Sequence, residues 1–169
     1  MGKVPGISMP DEKEDQLLIG KRGMRILGFD YGSRRIGVAV CDELGMTAQG
    51  VGTIVRKNRE ADMAAIAELV GRHDIERIVV GYPIRLDGSE GIQCEKVNGF
   101  IRRLEARFSL PVVRWDETLS TKEAEELLRG HGVRPENRKA LVDRVAASLI
   151  LQGYLDSRSR GEKTESTTE

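Results

Sequence analysis

Three acidic residues stand where chemistry and chain geometry coincide. Asp30 follows the apolar run Ile26-Leu27-Gly28-Phe29, Glu117 follows the segment ending in Arg114-Trp115, and Asp143 opens a long apolar stretch that reaches Leu155. Carboxylates are hard oxygen ligands of the kind that suit Mg²⁺. If folding gathers these three, they form a site for divalent metal, and the chemistry of such a site is the cutting of a phosphodiester.

Each acid also has a plainer role open to it. Asp30 leads into Tyr31-Gly32-Ser33-Arg34-Arg35-Ile36-Gly37, where an Asp beside Gly32 can simply shape a turn. Without side chains, Gly32 and Gly37 let backbone N–H groups or a phosphate oxygen approach closely, and Arg34 and Arg35 can engage that phosphate. Alternation along a strand puts Asp116 and Glu117 on opposite sides, so Glu117 is the expected metal ligand and Asp116 its support. Thr118, Ser120 and Thr121 add hydroxyls that can hold phosphate or cap the next helix; an ordinary polar strand exit is the alternative. Asp143 shares a helical stripe with Ala147, Ile150 and Tyr154, not with the polar strip of Arg144, Ser148 and Gln152. An acid on the packed side needs a partner, unless it merely favours the helix N-terminus.

The elements that must position these residues follow from periodicity. Residues 25–29, 35–41 and 47–55 read as strands, with Ile36, Val38 and Val40 on one face and the small Gly37, Ala39 and Cys41 on the other. Their short links predict antiparallel hairpins. Helical spacing follows over 60–73 and 92–108, with short strands at 77–80 and 111–115. Helices are predicted over 121–129, with Ser120 as N-cap and Glu123 as its capping-box partner, and over 140–155. The order β-β-β-α-β-α-β-α-α predicts an α/β fold with a mixed five-stranded sheet, the first three strands antiparallel, flanked by helices. Gly81, Gly88 and Gly91 punctuate the loop after the fourth strand, at the sheet edge where open α/β sheets take ligands. Ala146 and Ala147 let the last helix lie close to the sheet and carry Asp143 to the end of the first strand.

At 169 residues the chain reads as one domain over 24–155. Residues 1–23 read as a flexible extension, with short helical content possible near 11–19, and 156–169 as a disordered tail. The 27 basic and 27 acidic side chains balance, which does not advertise a general nucleic-acid binder. Local basic clusters matter more: Arg34-Arg35, Arg56-Lys57-Arg59, Arg102-Arg103 and Arg138-Lys139 each read singly as an ordinary solvated surface, and together they can form a phosphate-facing rim. Cys41 and Cys94 are isolated, without zinc-ligand spacing, and Cys41 reads as a buried free thiol. His73 reads as a helix-end residue and His131 as a loop residue. No apolar run approaches a membrane span, and residues 1–23 carry no signal-peptide core, so the cytoplasm is the expected compartment.

Four segments together resemble the YqgF/RuvX family of RNase H-like proteins, described as Holliday junction resolvases or pre-16S rRNA nucleases. They are Asp30-Tyr31-Gly32-Ser33-Arg34-Arg35-Ile36-Gly37-Val38-Ala39, Val80-Gly81-Tyr82-Pro83, Asp116-Glu117-Thr118-Leu119-Ser120-Thr121, and Lys139-Ala140-Leu141-Val142-Asp143-Arg144-Val145-Ala146-Ala147. The resemblance implies an RNase H-like nuclease domain with Asp30, Glu117 and Asp143 as catalytic metal ligands. Two Mg²⁺ or Mn²⁺ ions are implied, with Asp30 bridging them and Glu117 and Asp143 each holding one side. Gly32, Arg34, Arg35, Gly81, Thr118, Ser120, Arg138 and Lys139 become the expected substrate contacts. Thr118 departs from the family, which usually has Arg there; a phosphate contact made by that Arg is lost or falls to Arg34, Arg35 or Arg138. The implied substrate is structured RNA, the 5′ end of precursor 16S rRNA, with branched DNA as the alternative and association with a ribosomal subunit possible. A symmetric four-way junction favours a homodimer, whereas cleavage of RNA does not require one. Two other classes share features with this chain. One is a non-catalytic nucleic-acid-binding or ribosome-assembly protein. The other is a sugar-kinase-type phosphotransferase, which normally needs two such domains around a nucleotide.

Overall fold

The computed structural model describes residues 25–83, 89–116, 120–130, 132 and 134–165. The chain order is β1 (Arg25–Tyr31), β2 (Arg35–Cys41), β3 (Ala48–Val55), α1 (Arg59–Arg72), β4 (Ile75–Tyr82), α2 (Ile92–Arg107), β5 (Val112–Asp116), α3 (Ser120–Arg129) and α4 (Pro135–Glu165). The five strands form one sheet in the order β3-β2-β1-β4-β5. β1, β2 and β3 pair antiparallel, while β4 joins β1 and β5 joins β4 in parallel. This is the mixed five-stranded sheet, with its first three strands antiparallel, that the sequence leads one to expect. Short hairpins force the first reversals, and helical crossovers return the later strands in parallel.

Alternation sorts the side chains onto two faces. Leu27, Phe29, Tyr31, Ile36, Val38, Val40, Ile78, Val80 and Tyr82 pack against α1 and α2 in the larger core. Phe100 is its hub, stacked on Tyr31 with centroids 4.3 Å apart and edge-on to Phe29 at 5.8 Å. On the opposite face Ile26, Ala39, Cys41 and Val79 meet Ala147, Ile150, Leu151, Tyr154 and Leu155 of α4, with Val113 and Trp115 beside them. A third cluster joins α3 to α4 through Ala124, Leu128, Val142 and Ala146. Ala147 therefore serves the sheet and Ala146 serves α3.

The small residues of β2 do what their size suggests. A Cβ added at Gly37 would stand 2.0 Å from the carbonyl oxygen of Asp143, and one at Gly28 would stand 2.9 Å from the Leu151 Cβ. The helix backbone lies directly on the strand there. Cys41 is a buried free thiol whose Sγ accepts a hydrogen bond from the Ile26 N–H, and burial pushes its pKa up.

Several expectations are corrected. Asp30 and Gly81 lie inside β1 and β4, not in the loops beyond them. β3 alternates loosely because it is bulged: Val38 pairs with Gly52 and Ala39 with Gly50, leaving Val51 as the extra residue. Ser120 is the first residue of α3 rather than the residue before it. α4 begins at Pro135, whose fixed φ suits a first helical position, and runs ten residues past Leu155. Residues 156–165, expected to lack fixed structure, continue that helix. The strip of Arg144, Ser148 and Gln152 is not turned wholly to solvent. Gln152 accepts from the Ala48 N–H and donates to the Met46 carbonyl, and the Arg144 stem covers Gly50. The expectations for residues 1–23 and for Gly88, His131 and the end of the tail lie outside the described residues.

The close approach at Gly37 yields a direct test. Gly37→Ala should lower stability by about 1–3 kcal/mol in urea unfolding, the usual range for overpacking. Gly52→Ala, whose added Cβ meets nothing within 4 Å, should stay within about 0.5 kcal/mol of wild type. Equal effects at the two positions would show that α4 is not clamped on β2.

Candidate active site at the β1–α4 contact

Asp30 is the cross-strand partner of Gly37, and cross-strand partners project to the same face of a sheet. Because Gly37 faces the Asp143 backbone, the half-buried Asp30 side chain and the start of the docked part of α4 share one face. The same face continues through Gly81, one residue beyond the Phe29–Val80 pair, and then to its neighbour Trp115. Gly37, Asp30, Gly81 and Trp115 thus form a row across the sheet, with glycine on either side of the acid. Gly81 puts no side chain beside Asp30, whereas the space over Gly37 is taken up by the Asp143 backbone.

Asp143 reaches this row because its stripe on α4 is the docked one. Ala147, Ile150 and Tyr154 are buried on the sheet, as the spacing predicts, and Trp115 anchors the far end by an edge-to-face contact with Tyr154 at 5.9 Å. The partner that an inward acid requires is Arg35. Its Nε donates to Asp143 Oδ2 at 2.6 Å, with the two side chains 30% and 21% exposed. Arg35 shares the α4 face with Gly37 by alternation. Arg35, expected as a phosphate contact, is thus committed to one of the candidate metal ligands.

The turn that joins Asp30 to Arg35 is braced from behind. The Gly32 N–H donates to the Arg35 carbonyl at 2.9 Å, and a Cβ at Gly32 would stand 2.6 Å from that oxygen. Gly32 is therefore required by the turn itself. Arg56 Nη1 donates to the Gly32 and Ser33 carbonyls at 3.2 Å each, and its Nε donates to Asp62 Oδ2 at 3.3 Å. Its guanidinium lies 4.6 Å from the Tyr31 ring centroid. Asp62 is the only buried charged residue among those described, 5% exposed, and also accepts from the Lys57 N–H. Arg56 belongs to this internal brace rather than to a phosphate-facing rim. Arg34 is exposed at the same turn.

Asp116 closes β5 opposite Tyr82 and is exposed. Val113 and Trp115 face α4, so Asp116 falls on the other parity. Glu117 and Thr118 lie outside the described residues, as does the side chain of Ser120. Among the described residues no group of three His, Cys, Asp or Glu side chains is placed to hold a metal ion. Asp30 lies in the row, the Asp143 backbone abuts its neighbour Gly37, and carboxylates of this kind fit a hard divalent cation.

One basic residue of the site escapes sequence reasoning: Arg129. It lies on α3 across from Arg138, Lys139 and Asp143, in a cleft that also takes in Arg35 and Glu125. Its one signal is the spacing of Glu125 and Arg129, which puts both on one face of a helix.

A sequence profile of the RuvX family, described as a Holliday junction resolvase, matches residues 24–157. A protein of Syntrophus aciditrophicus bearing the provisional name pre-16S rRNA nuclease is 64% identical over 137 residues, covering 81% of this chain and 91% of its own. One of Halothermothrix orenii with the same name is 50% identical over 137 residues, covering 81% and 98%. T. thermophilus RuvC, solved with a Holliday junction substrate, aligns at 18% identity and a TM-score of 0.49 over 80% of this chain and 96% of that one.

The Arg35–Asp143 pair is open to a double-mutant cycle by urea unfolding in EDTA. Arg35→Ala alone should cost about 1–3 kcal/mol, between the values for exposed and fully buried pairs. The coupling with Asp143→Ala should be at least about 0.5 kcal/mol. Additive effects would mean that the contact carries no energy.

Proposed function

The chain belongs to the RuvX family, and on that premise we propose that it is a metal-dependent nuclease that hydrolyses phosphodiester bonds at the row containing Asp30. The observation that carries this reading is the placement of Asp30 and Asp143 on one sheet face, with Gly37 and Gly81 flanking Asp30. Asp30, Asp143 and Glu117 are the residues that would hold Mg²⁺ or Mn²⁺. A bound pair of such ions supplies Lewis-acid stabilisation of the attacking and leaving oxygens of an in-line displacement.

The chain's own residues do the rest. Gly81, which has no side chain, would leave room for the scissile phosphate beside Asp30. Arg35 holds the Asp143 carboxylate at the edge of the row, so a cation that claims that carboxylate must compete with a guanidinium. Arg34, exposed on the braced turn, is placed to meet a flanking phosphate, as are Arg138 and Lys139 on the first turns of α4. Thr118 and Ser120 would add hydroxyl contacts, and Asp116 would support the strand exit that carries Glu117.

The names borne by the relatives favour precursor 16S rRNA as the substrate; cleavage at its 5′ end, in the cytoplasm during ribosome assembly, is the finer reading we propose. No described helix is long and apolar enough to cross a membrane. The family description favours a second reading, resolution of four-way DNA junctions. A cleavage panel offering both substrates separates the two, and product-end mapping separates endonuclease from exonuclease action.

Asp30→Asn is the decisive variant. Cleavage in Mg²⁺ or Mn²⁺ should fall by at least about 100-fold, since an ion's contribution is several kcal/mol and each 1.36 kcal/mol is about tenfold in rate. Nucleic-acid affinity should stay near wild type, and EDTA should silence the wild-type enzyme. Full activity of Asp30→Asn, with contaminating nuclease excluded, would reject the assignment.

A further inference from the structure

We propose that the cleft between α3 and α4 is a second phosphate-binding site, which holds the sugar-phosphate backbone of the substrate strand away from the scissile bond. The proposal rests on the nuclease reading and adds to it the path that the strand takes across the protein.

The cleft has a volume of about 500 Å³ and is open to solvent at the surface. One wall is the stripe of α3 that carries Glu125 and Arg129, four residues apart. The other is the start of α4, where Arg138, Lys139 and Asp143 lie around Val142. The packing of Ala124 and Leu128 against Val142 and Ala146 fixes the distance between the walls. The site is thus framed by two helices that share an apolar seam.

Its charge is out of keeping with the chain. The whole protein balances 27 basic against 27 acidic side chains. Among the described residues the cleft gathers Arg35, Arg129, Arg138 and Lys139 against Glu125 and Asp143. The Arg35–Asp143 contact neutralises one pair internally. The exposed Arg129 and Lys139 face the opening, with the half-buried Arg138 beside them and one acid, Glu125. The beginning of α4 adds the positive end of its helix dipole to the same wall. An anion is the ligand such a site would take. Guanidinium forks and a lysine ammonium along two rails match successive phosphates better than one small carboxylate. The cleft also reaches Asp143, so a strand lying in it passes directly to the row that holds Asp30. Arg129 is then a substrate-positioning residue supplied by a helix that the four resembling segments scarcely include.

The test measures binding rather than turnover. Arg129 and Lys139 are exposed, so Arg129→Ala/Lys139→Ala should fold normally, checked by an unchanged melting curve. Lys96→Ala/Arg102→Ala, on exposed positions of α2, removes the same charge elsewhere. Affinity for a labelled single-stranded RNA and for a four-way DNA junction is measured across a salt series, in EDTA and in Mg²⁺. Each lost phosphate contact should reduce the salt slope by about 0.7 on a single strand and about 0.9 on duplex DNA. The cleft variant should therefore lose about 1.4 on RNA, or about 1.8 on the junction, and bind roughly 25-fold more weakly on RNA or roughly 60-fold more weakly on the junction at 0.1 M salt. The α2 variant should stay close to wild type. The probe whose loss reaches its own expected slope change identifies the nucleic acid that the cleft serves. If the cleft variant matches wild type, or the two variants weaken equally, the cleft is not a binding site although the nuclease reading stands. Wild-type protein that binds neither probe in either buffer would overturn that reading and the cleft together.

Discussion

Backbone contact between α4 and β2 is the constraint on which the rest of the structure depends. At Gly37 the carbonyl of Asp143 occupies the space that any side chain would need. That one contact sets the height of α4 above the sheet, its rotation and its axial position. Rotation follows because Ala147, Ile150 and Tyr154 must then enter the core on that face. Axial position follows because Leu151 closes over Gly28 and Trp115 lies under Gly153. With all three fixed, Asp143 has one place to go, beside the strand pair that carries Asp30. A larger residue at position 37 would move a carboxylate as well as a helix.

The electrostatics of this arrangement are those of a carboxylate compensated from within the fold. Taking a carboxylate partly out of water is costly unless a donor or an opposite charge compensates. Asp143 is compensated by Arg35, drawn from the same strand that presents Gly37. Arg35 in turn depends on the turn that begins at Gly32, and that turn is held by Arg56 and the buried Asp62. The chain of support therefore runs from a buried acid on α1, through an arginine and a turn, to the acid on α4. Metal binding at Asp143 would trade a guanidinium for a divalent ion, a competition whose balance depends on ionic conditions.

Much of this arrangement is legible in the amino-acid sequence. The inward stripe of Asp143 is readable because the helical repeat aligns it with Ala147, Ile150 and Tyr154. The close approach is readable because Gly37, Ala39 and Cys41 form a run of small residues on one strand face. Short links between the first strands disclose their antiparallel pairing. The pairing of Arg35 is not readable, since an arginine after a glycine turn looks the same whether it meets a phosphate or a carboxylate 108 residues away. Arg56 misleads for the same reason: its neighbours Lys57 and Arg59 suggest a basic rim, and its burial against Tyr31 depends on the fold. The helical residues past Leu155 have no apolar repeat to announce them. Once α4 is anchored by its docked turns, adding polar residues to its end requires no new nucleation. The cleft is invisible in the sequence because Arg129 belongs to a short polar helix, and only the packing of α3 on α4 brings it opposite Arg138 and Lys139.

The central claim is that Asp30 and Asp143, with Glu117, share divalent cations. Crystals of the full chain soaked in Mn²⁺ test it most directly, through anomalous scattering recorded at the manganese edge. The account expects Mn²⁺ between the Asp30 and Asp143 carboxylates, with Arg35 displaced from Asp143 or sharing it. Manganese bound elsewhere, with this row empty and the Arg35–Asp143 contact intact at saturating metal, would contradict it.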